Sequence, residues 1–163
     1  MFERILVLTD GSPCAALALP YAADLTRTYH SQLTVLYVMP DLLSPLASAE
    51  GLAYTYNSEQ ERTQALDEGT RILEQARVLL DVPGANLVRL EAQRQSVAEV
   101  VADQVERLGT ELVVMSTHGR SGLAHLFLGS VAEQVLRRVR VPVFLLSAAQ
   151  HSPAPGAQRQ AEH

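Results

Sequence analysis

Short apolar runs alternate along this chain with longer stretches in which apolar residues recur every three or four positions. The first pattern predicts buried strands and the second predicts helices packed on one face. Arg4 to Thr9 reads as a strand, with Ile5, Leu6, Val7 and Leu8 in one run. Asp10-Gly11-Ser12-Pro13 is a turn into a helix, with Pro13 suited to the first helical turn. Ala15, Leu19, Ala22 and Thr26 then repeat at helical spacing. Pro20 falls inside that helix and deprives the Ala16 carbonyl of its usual donor, which predicts a local kink.

Gln32 to Val38 is a second strand. Met39 to Asn57 has no period and reads as a connection, with a flap over a site as the alternative. Ser58 and Glu61 have capping-box spacing before a helix whose inner face is Leu66, Leu73, Ala76 and Leu80. Pro83-Gly84 ends it. Asn86 to Ala92 is a third strand. Ser96 and Glu99 cap a further helix with Val97, Val101, Val105 and Leu108 inward, ended by Gly109 in a left-handed conformation. Leu112 to Met115 is a fourth strand, followed by a loop from Ser116 to Gly129 with a helical piece around Leu123 to Leu128. Ser130 and Glu133 repeat the capping-box spacing and open a helix using Val131, Val135 and Val139. Val141 to Leu146 is a fifth strand. Residues 1–147 thus read as one domain and 148–163, rich in Ala, Gln, Pro and Ser, as a disordered tail.

Strand–helix alternation of this kind specifies an α/β fold, a parallel sheet covered on both faces with right-handed crossovers. Ligands of open doubly wound sheets bind beyond the carboxyl ends of strands, where the winding reverses. Polar segments follow the first strand (Asp10-Gly11-Ser12) and the fourth (Ser116 to Gly119). If those two strands are neighbours, their loops share one crevice.

Composition narrows the chemistry. The 163 residues are 47% apolar, which suits one globular domain with a real core. The formal charge of −5 argues against nucleic acid as the main partner. All 13 basic residues are Arg, so a Walker-type phosphate Lys has no counterpart here. No apolar run approaches the ~20 residues of a membrane helix, and Met1-Phe2-Glu3-Arg4 before Ile5 to Leu8 and Asp10 is too short and acidic for a signal peptide. The single Cys14 excludes an internal disulfide and suits a reducing, cytoplasmic setting. It reads as a small buried side chain, with a helix-start thiol as the alternative. His118 and His125 stand seven apart without a Cys cluster, so a metal site has little support. No Gly-x-Gly-x-x-Gly follows the first strand, which removes the dinucleotide-dehydrogenase reading.

The most informative segment runs from Val113 to Glu133. Gly119 lies just past a strand end, where its backbone can approach a phosphate without a Cβ in the way. Gly129 and Ser130 stand at a helix start, where free amides and the helix dipole favour anions. Ser130 either caps the helix or meets a phosphate oxygen, and Arg120 adds charge. A purely structural loop fits these features as well.

At this point the sequence resembles the universal stress protein family, whose nucleotide-binding members carry Gly-x-x-Gly, nine residues, then Gly-Ser or Gly-Thr. Gly119 and Gly129 match the second and third glycines with nine residues between them, and Ser130 follows. Met115, His118-Gly119-Arg120, Leu128-Gly129-Ser130-Val131, the opening Ile5 to Ser12 and Leu33 to Val38 are also similar to the family. The resemblance implies a Rossmann-like, open doubly wound five-stranded parallel sheet in the order 3-2-1-4-5, with helices on both faces. It implies an adenine nucleotide, ATP or AMP with Mg²⁺. Thr9 and Asp10 would lie by the ribose or base, and Val38 would offer its backbone to the adenine. Ser116, Thr117, His118, Gly119, Arg120, Ser121, Gly122, Gly129, Ser130 and Val131 would cradle the phosphates, and Met115 would be a further nucleotide-binding position. Ser116 replaces the first motif glycine. A required positive φ there would cost about 1 kcal/mol or more, whereas a merely tight position tolerates Ser and gains a hydroxyl.

The function expected from this resemblance is a dimeric nucleotide sensor serving a regulatory protein partner. A slow ATPase or self-phosphorylating protein is the enzymatic alternative, but no residue is clearly placed to orient water. Ser130 and Ser121 are its candidate acceptors. A nucleotide-free dimeric scaffold is the third. Pro142 points to an edge strand, and apolar Val143-Phe144-Leu145-Leu146 needs cover. A second copy supplies it by a twofold homodimer through the fifth strand, and a folded-back tail is the alternative.

Overall fold

The computed structural model describes residues 1–39, 59–117 and 128–147. Five strands and five helices follow in order: β1 Arg4–Leu8, α1 Pro13–Ala16, α2 Ala18–Tyr29, β2 Gln32–Met39, α3 Glu59–Leu80, β3 Asn86–Glu91, α4 Val97–Leu108, β4 Leu112–Ser116, α5 Ser130–Arg138 and β5 Val143–Leu146. The expectations for the connection after Met39, for the Ser58–Glu61 capping box, for the helical piece before Leu128 and for the 148–163 tail lie outside the described residues.

All strand pairs are parallel, and the sheet order is β3-β2-β1-β4-β5. Parity along each strand divides the core in two. Ile5, Val7, Leu33, Val35, Leu112 and Val114 pack with α2 and α3 through Leu19, Ala22, Ile72, Leu73, Ala76 and Leu80. Leu6, Leu36, Val38, Val113 and Met115 pack with α4 and α5 through Ala98, Val101, Val105, Ala132 and Val135. Helices on both faces of a parallel sheet account for the unbroken apolar runs, because neither face meets water. The chain therefore has the Rossmann-like α/β fold. No helix among the described residues is long and apolar enough to cross a membrane.

Local chemistry explains the helix ends. The Ser12 hydroxyl accepts from the Ala15 amide at 3.1 Å, with Pro13 in the first turn. Helix continuity breaks at Leu17, between α1 and α2, on the turn where Pro20 withholds its donor from Ala16. Ser96 and Glu99 form a full capping box at α4, and Gly109 closes that helix at φ +59°. The Glu99 carboxyl is held below its ordinary value by hydrogen bonds from Ser96, backbone first, which outweigh the opposing effect of burial, with a lesser contribution from Arg138.

At α5 two expectations are corrected. Gly129, not Ser130, is the N-cap: its backbone is extended and its carbonyl accepts from the Glu133 amide at 2.9 Å. The helix starts one residue early and lacks a side-chain cap bond. Its buried stripe is then Ala132 and Val135, leaving Val131 37% exposed. The fifth strand begins at Val143; Pro142 precedes it and accepts through its carbonyl from the Val113 amide at 3.0 Å.

One glycine decides how closely α3 approaches the sheet. A Cβ at Gly69 would stand 2.8 Å from Arg89 Cδ and 2.9 Å from Tyr37 Cε1. Arg89 Nη1 donates to the Leu66 carbonyl at 2.6 Å and to Thr70 Oγ1 at 2.8 Å, fastening β3 to the same turns of the helix.

Candidate functional site

The winding reverses between β1 and β4, and the hydrogen bonding records how a crevice opens there. The β1–β4 register ends at the pair Val7–Val114. On one side β1 continues with β2, pairing Leu8 with Leu36, and the Thr9 amide donates to the Leu36 carbonyl at 3.0 Å. On the other side β4 continues with β5, pairing Ser116 with Leu146, and the Thr117 amide donates to the Leu146 carbonyl at 2.8 Å. The two central strands thus follow outer neighbours and part from each other, the geometry that receives ligands in open α/β sheets.

The first wall of this crevice is the β1–α1 turn. The Asp10 carboxylate accepts from the Ser12 amide at 2.9 Å, and Thr9 Oγ1 accepts from the Gly11 amide at 3.2 Å. Gly11 takes φ +78°, a conformation that favours glycine. The opposite wall is the end of β4. Met115 and Ser116 are buried, and Ser116 belongs to an extended strand instead of the left-handed region. A positive φ is therefore not what distinguishes that position, and serine is accommodated without backbone strain. The Gly129 amide donates to the Thr117 carbonyl at 2.9 Å, which seats the start of α5 beside the end of β4. The amides of Ser130 to Ala132 open the helix, where such groups have no intrahelical acceptor. Val38 lies near the end of β2, pairs with Leu90 of β3 and stands two residues past the last β1 pair.

Thr9, Asp10, Val38, Met115, Ser116, Thr117, Gly129, Ser130 and Val131 are thus gathered at the carboxyl edge of the sheet. His118, Gly119, Arg120, Ser121 and Gly122 lie outside the described residues. Two features of this edge escaped the sequence reading. Ile72 of α3 backs onto Gly11, and Gln93 and Arg94 follow β3 with φ of +39° and +70°. The glycine in Asp-Gly-Ser signals a turn but not the residue it will touch, and Gln93-Arg94 carries no glycine to signal one.

A cavity of about 310 Å³ lies at the other end of the sheet, between Ser31–Leu33 and Val82–Asn86. It has no ionisable lining residue and lies at the amino ends of β2 and β3, so it offers a phosphate no charge. No group of three or more His, Cys, Asp or Glu among the described residues could hold a metal ion.

Comparison with known proteins agrees with this architecture. A family model described as the universal stress protein family matches residues 1–147. Universal stress protein YxiE of Bacillus subtilis is 29% identical over 148 residues, covering 90% of this chain and 99% of its own. The solved structure of protein MJ0577, from Methanocaldococcus jannaschii, superposes with a TM-score of 0.71 at 21% identity, over 90% of this chain and 96% of that one. The universal stress protein of Archaeoglobus fulgidus, solved in complex with dAMP, superposes with a TM-score of 0.61 at 19% identity, over 88% and 96%.

Proposed function

This chain belongs to the universal stress protein family, and we propose that it is a cytoplasmic sensor that binds an adenine nucleotide at the carboxyl edge of its sheet. The observation that carries the reading is the parting of β1 and β4 after Val7–Val114, with Asp10 on one side and the start of α5, with Gly129 as its N-cap, on the other. The first amides of a helix point toward its N-terminal end, where they and the helix dipole favour an anion. The Asp10 carboxylate, oriented through its bond from Ser12, accepts hydroxyl protons of a ribose. The Val38 backbone serves the base. The Ser116 to Gly122 segment and Gly129 to Val131 would face the phosphates, and Asp10 is the carboxylate that would help hold an accompanying Mg²⁺, which would offset phosphate charge. The dAMP complex of the Archaeoglobus protein supports an adenine ligand for this fold.

The proposed working unit is a homodimer through β5, an edge strand paired on one side by β4. The site holds and reports nucleotide to a regulatory protein partner rather than turning it over.

Calorimetric titration with ATP and Mg²⁺ tests this, together with an assay of denatured protein for nucleotide carried through purification. Saturable micromolar binding or carried nucleotide is the expected result. No heat and no carried nucleotide would leave a dimeric scaffold that works through protein contacts alone.

A further inference from the structure

The β1–α1 turn is shaped by local bonds and located by contacts with distant segments. Asp10 to Ser12, Thr9 to Gly11 and Ser12 to Ala15 are bonds between residues two or three apart. Such bonds set the form of a turn and move with it if the turn shifts. Its place relative to the sheet depends on contacts from elsewhere in the chain. On the strand side the Thr9 amide is bonded to Leu36. On the helix side Gly11 lies against Ile72 of α3, so closely that a Cβ on Gly11 would stand 2.7 Å from Ile72 Cγ1 and 2.9 Å from Cδ1.

Ile72 itself cannot retreat. It is 3% exposed, within the cluster that includes Ile5, Val7 and Leu73, and its branched Cβ restricts χ1. One turn before it, Gly69 lets α3 close on Tyr37, and Arg89 holds the carbonyl of Leu66 and the hydroxyl of Thr70. The helix is therefore fixed on β2 and β3 just where it presents Ile72 to the turn.

We propose that Ile72 is a positioning residue for the nucleotide site: as a rigid apolar stop behind Gly11 it sets where the Asp10 carboxylate stands. The proposal rests on the nucleotide reading above for its ligand, though not for its geometry. It also gives α3 a role in the site, because any displacement of that helix along or away from the sheet moves the stop.

The test uses the Gly11 and Ser12 amides, both of which are closed by turn bonds, as reporters in ligand-free protein. Ile72→Ala and the milder Ile72→Val are compared with Leu80→Ala. Leu80 is equally buried on the same helix, about 12 Å further along its axis. In Ile72→Ala, hydrogen exchange at Gly11 and Ser12 is expected to rise about tenfold beyond the change at the β1 amides. Ile72→Val shifts it in the same direction by less and keeps the test available if the alanine variant does not fold. Leu80→Ala leaves the two amides in step with β1. Equal behaviour of the Ile72 and Leu80 variants at Gly11 and Ser12 overturns the proposal.

Titration with Mg²⁺ and ATP is the second readout, expected to weaken about tenfold in Ile72→Ala and to hold in Leu80→Ala. Wild-type affinity in Ile72→Ala overturns the positioning role. A wild-type protein that takes no nucleotide, yet loosens at Gly11 and Ser12 on Ile72→Ala, upholds the stop and overturns the nucleotide reading instead.

Discussion

The amide of Gly129 donates to the carbonyl of Thr117 at 2.9 Å, joining the first residue of the α5 cap to the residue that follows β4. This bond brings the two ends of the glycine-containing segment together and leaves Gly129 with an extended backbone at φ −60°. Any residue can adopt that conformation. The glycine is thus not required by φ, and under the proposed nucleotide reading its role is to leave room for the ligand. Gly129→Ala should change folding stability by no more than about 1 kcal/mol, the ordinary effect of alanine at an N-cap. ATP affinity should fall about tenfold or more, because a methyl group then stands before the helix amides. Urea denaturation and calorimetric titration on the same preparation separate the two effects. Loss of stability without loss of affinity would assign Gly129 a structural role.

Gly69 presents a conflict of signs. Glycine within a helix usually costs about 1 kcal/mol relative to alanine, so Gly69→Ala would ordinarily stabilise. Here the added methyl meets Tyr37 and Arg89 at under 3 Å. Tyr37 is buried and Arg89 is held by two hydrogen bonds, so overpacking of about 1–3 kcal/mol outweighs propensity. Net destabilisation of about 1 kcal/mol is expected in urea melts, and a higher midpoint would show that the helix can step back at little cost.

After β3 the chain turns through Gln93 and Arg94 at positive φ, closed by a 2.7 Å bond from the Gln95 amide to the Ala92 carbonyl. Left-handed backbone costs a side-chain-bearing residue about 1–2 kcal/mol. Arg94→Gly releases that strain while enlarging the freedom of the unfolded chain. These backbone effects alone favour a gain of about 0.5–1 kcal/mol, less whatever the Arg94 side chain's own interaction contributes, read in the urea midpoint. A loss would mean that the Arg94 side chain contributes more than its backbone strains.

The capping box at α4 predicts a pH dependence. Glu99 has a lowered folded pKa, through bonds from Ser96 and the nearby Arg138. Its contribution is therefore fully present above the ordinary carboxylate value of 4.5 and fades as pH falls through the lower folded value. Glu99→Gln keeps the shape of the cap and removes the charge. The variant should be less stable than wild type at pH 7, and the gap should close toward pH 3. A gap independent of pH would assign the effect to hydrogen bonding alone.

Phe144 is 36% exposed on β5, with its ring 5.7 Å from that of Tyr21. Among the described residues β5 has a strand neighbour on one side only, and an apolar ring on such a strand is suited to cover by a second copy. Phe144→Asp should leave the monomer folded, because the ring is not in the core, and weaken self-association at least tenfold. Light scattering reads this as a fall from dimer to monomer mass. An unchanged dimer mass would move the interface away from β5.

Much of this protein was determined by sequence alone. Continuous apolar runs such as Ile5 to Leu8 and Leu112 to Met115 could bury both faces only in a covered parallel sheet. Ser96 with Glu99, Ser12 with Pro13, and Gly109 set helix ends through bonds within three or four residues, which is why those boundaries were legible. Strand order rested on the resemblance, since pairing is a contact between distant segments.

The α5 cap went one residue astray because Gly129 and Ser130 are both competent caps, and the bond from Gly129 to Thr117 favours the earlier one. Tertiary structure alone decided that Ser116 lies in unstrained strand, that β1 and β4 part after Val7 and Val114, and that Ile72 meets Gly11. Each is a relation between segments far apart in the chain. Local propensity carries no information about such relations until the sheet and its helices have packed.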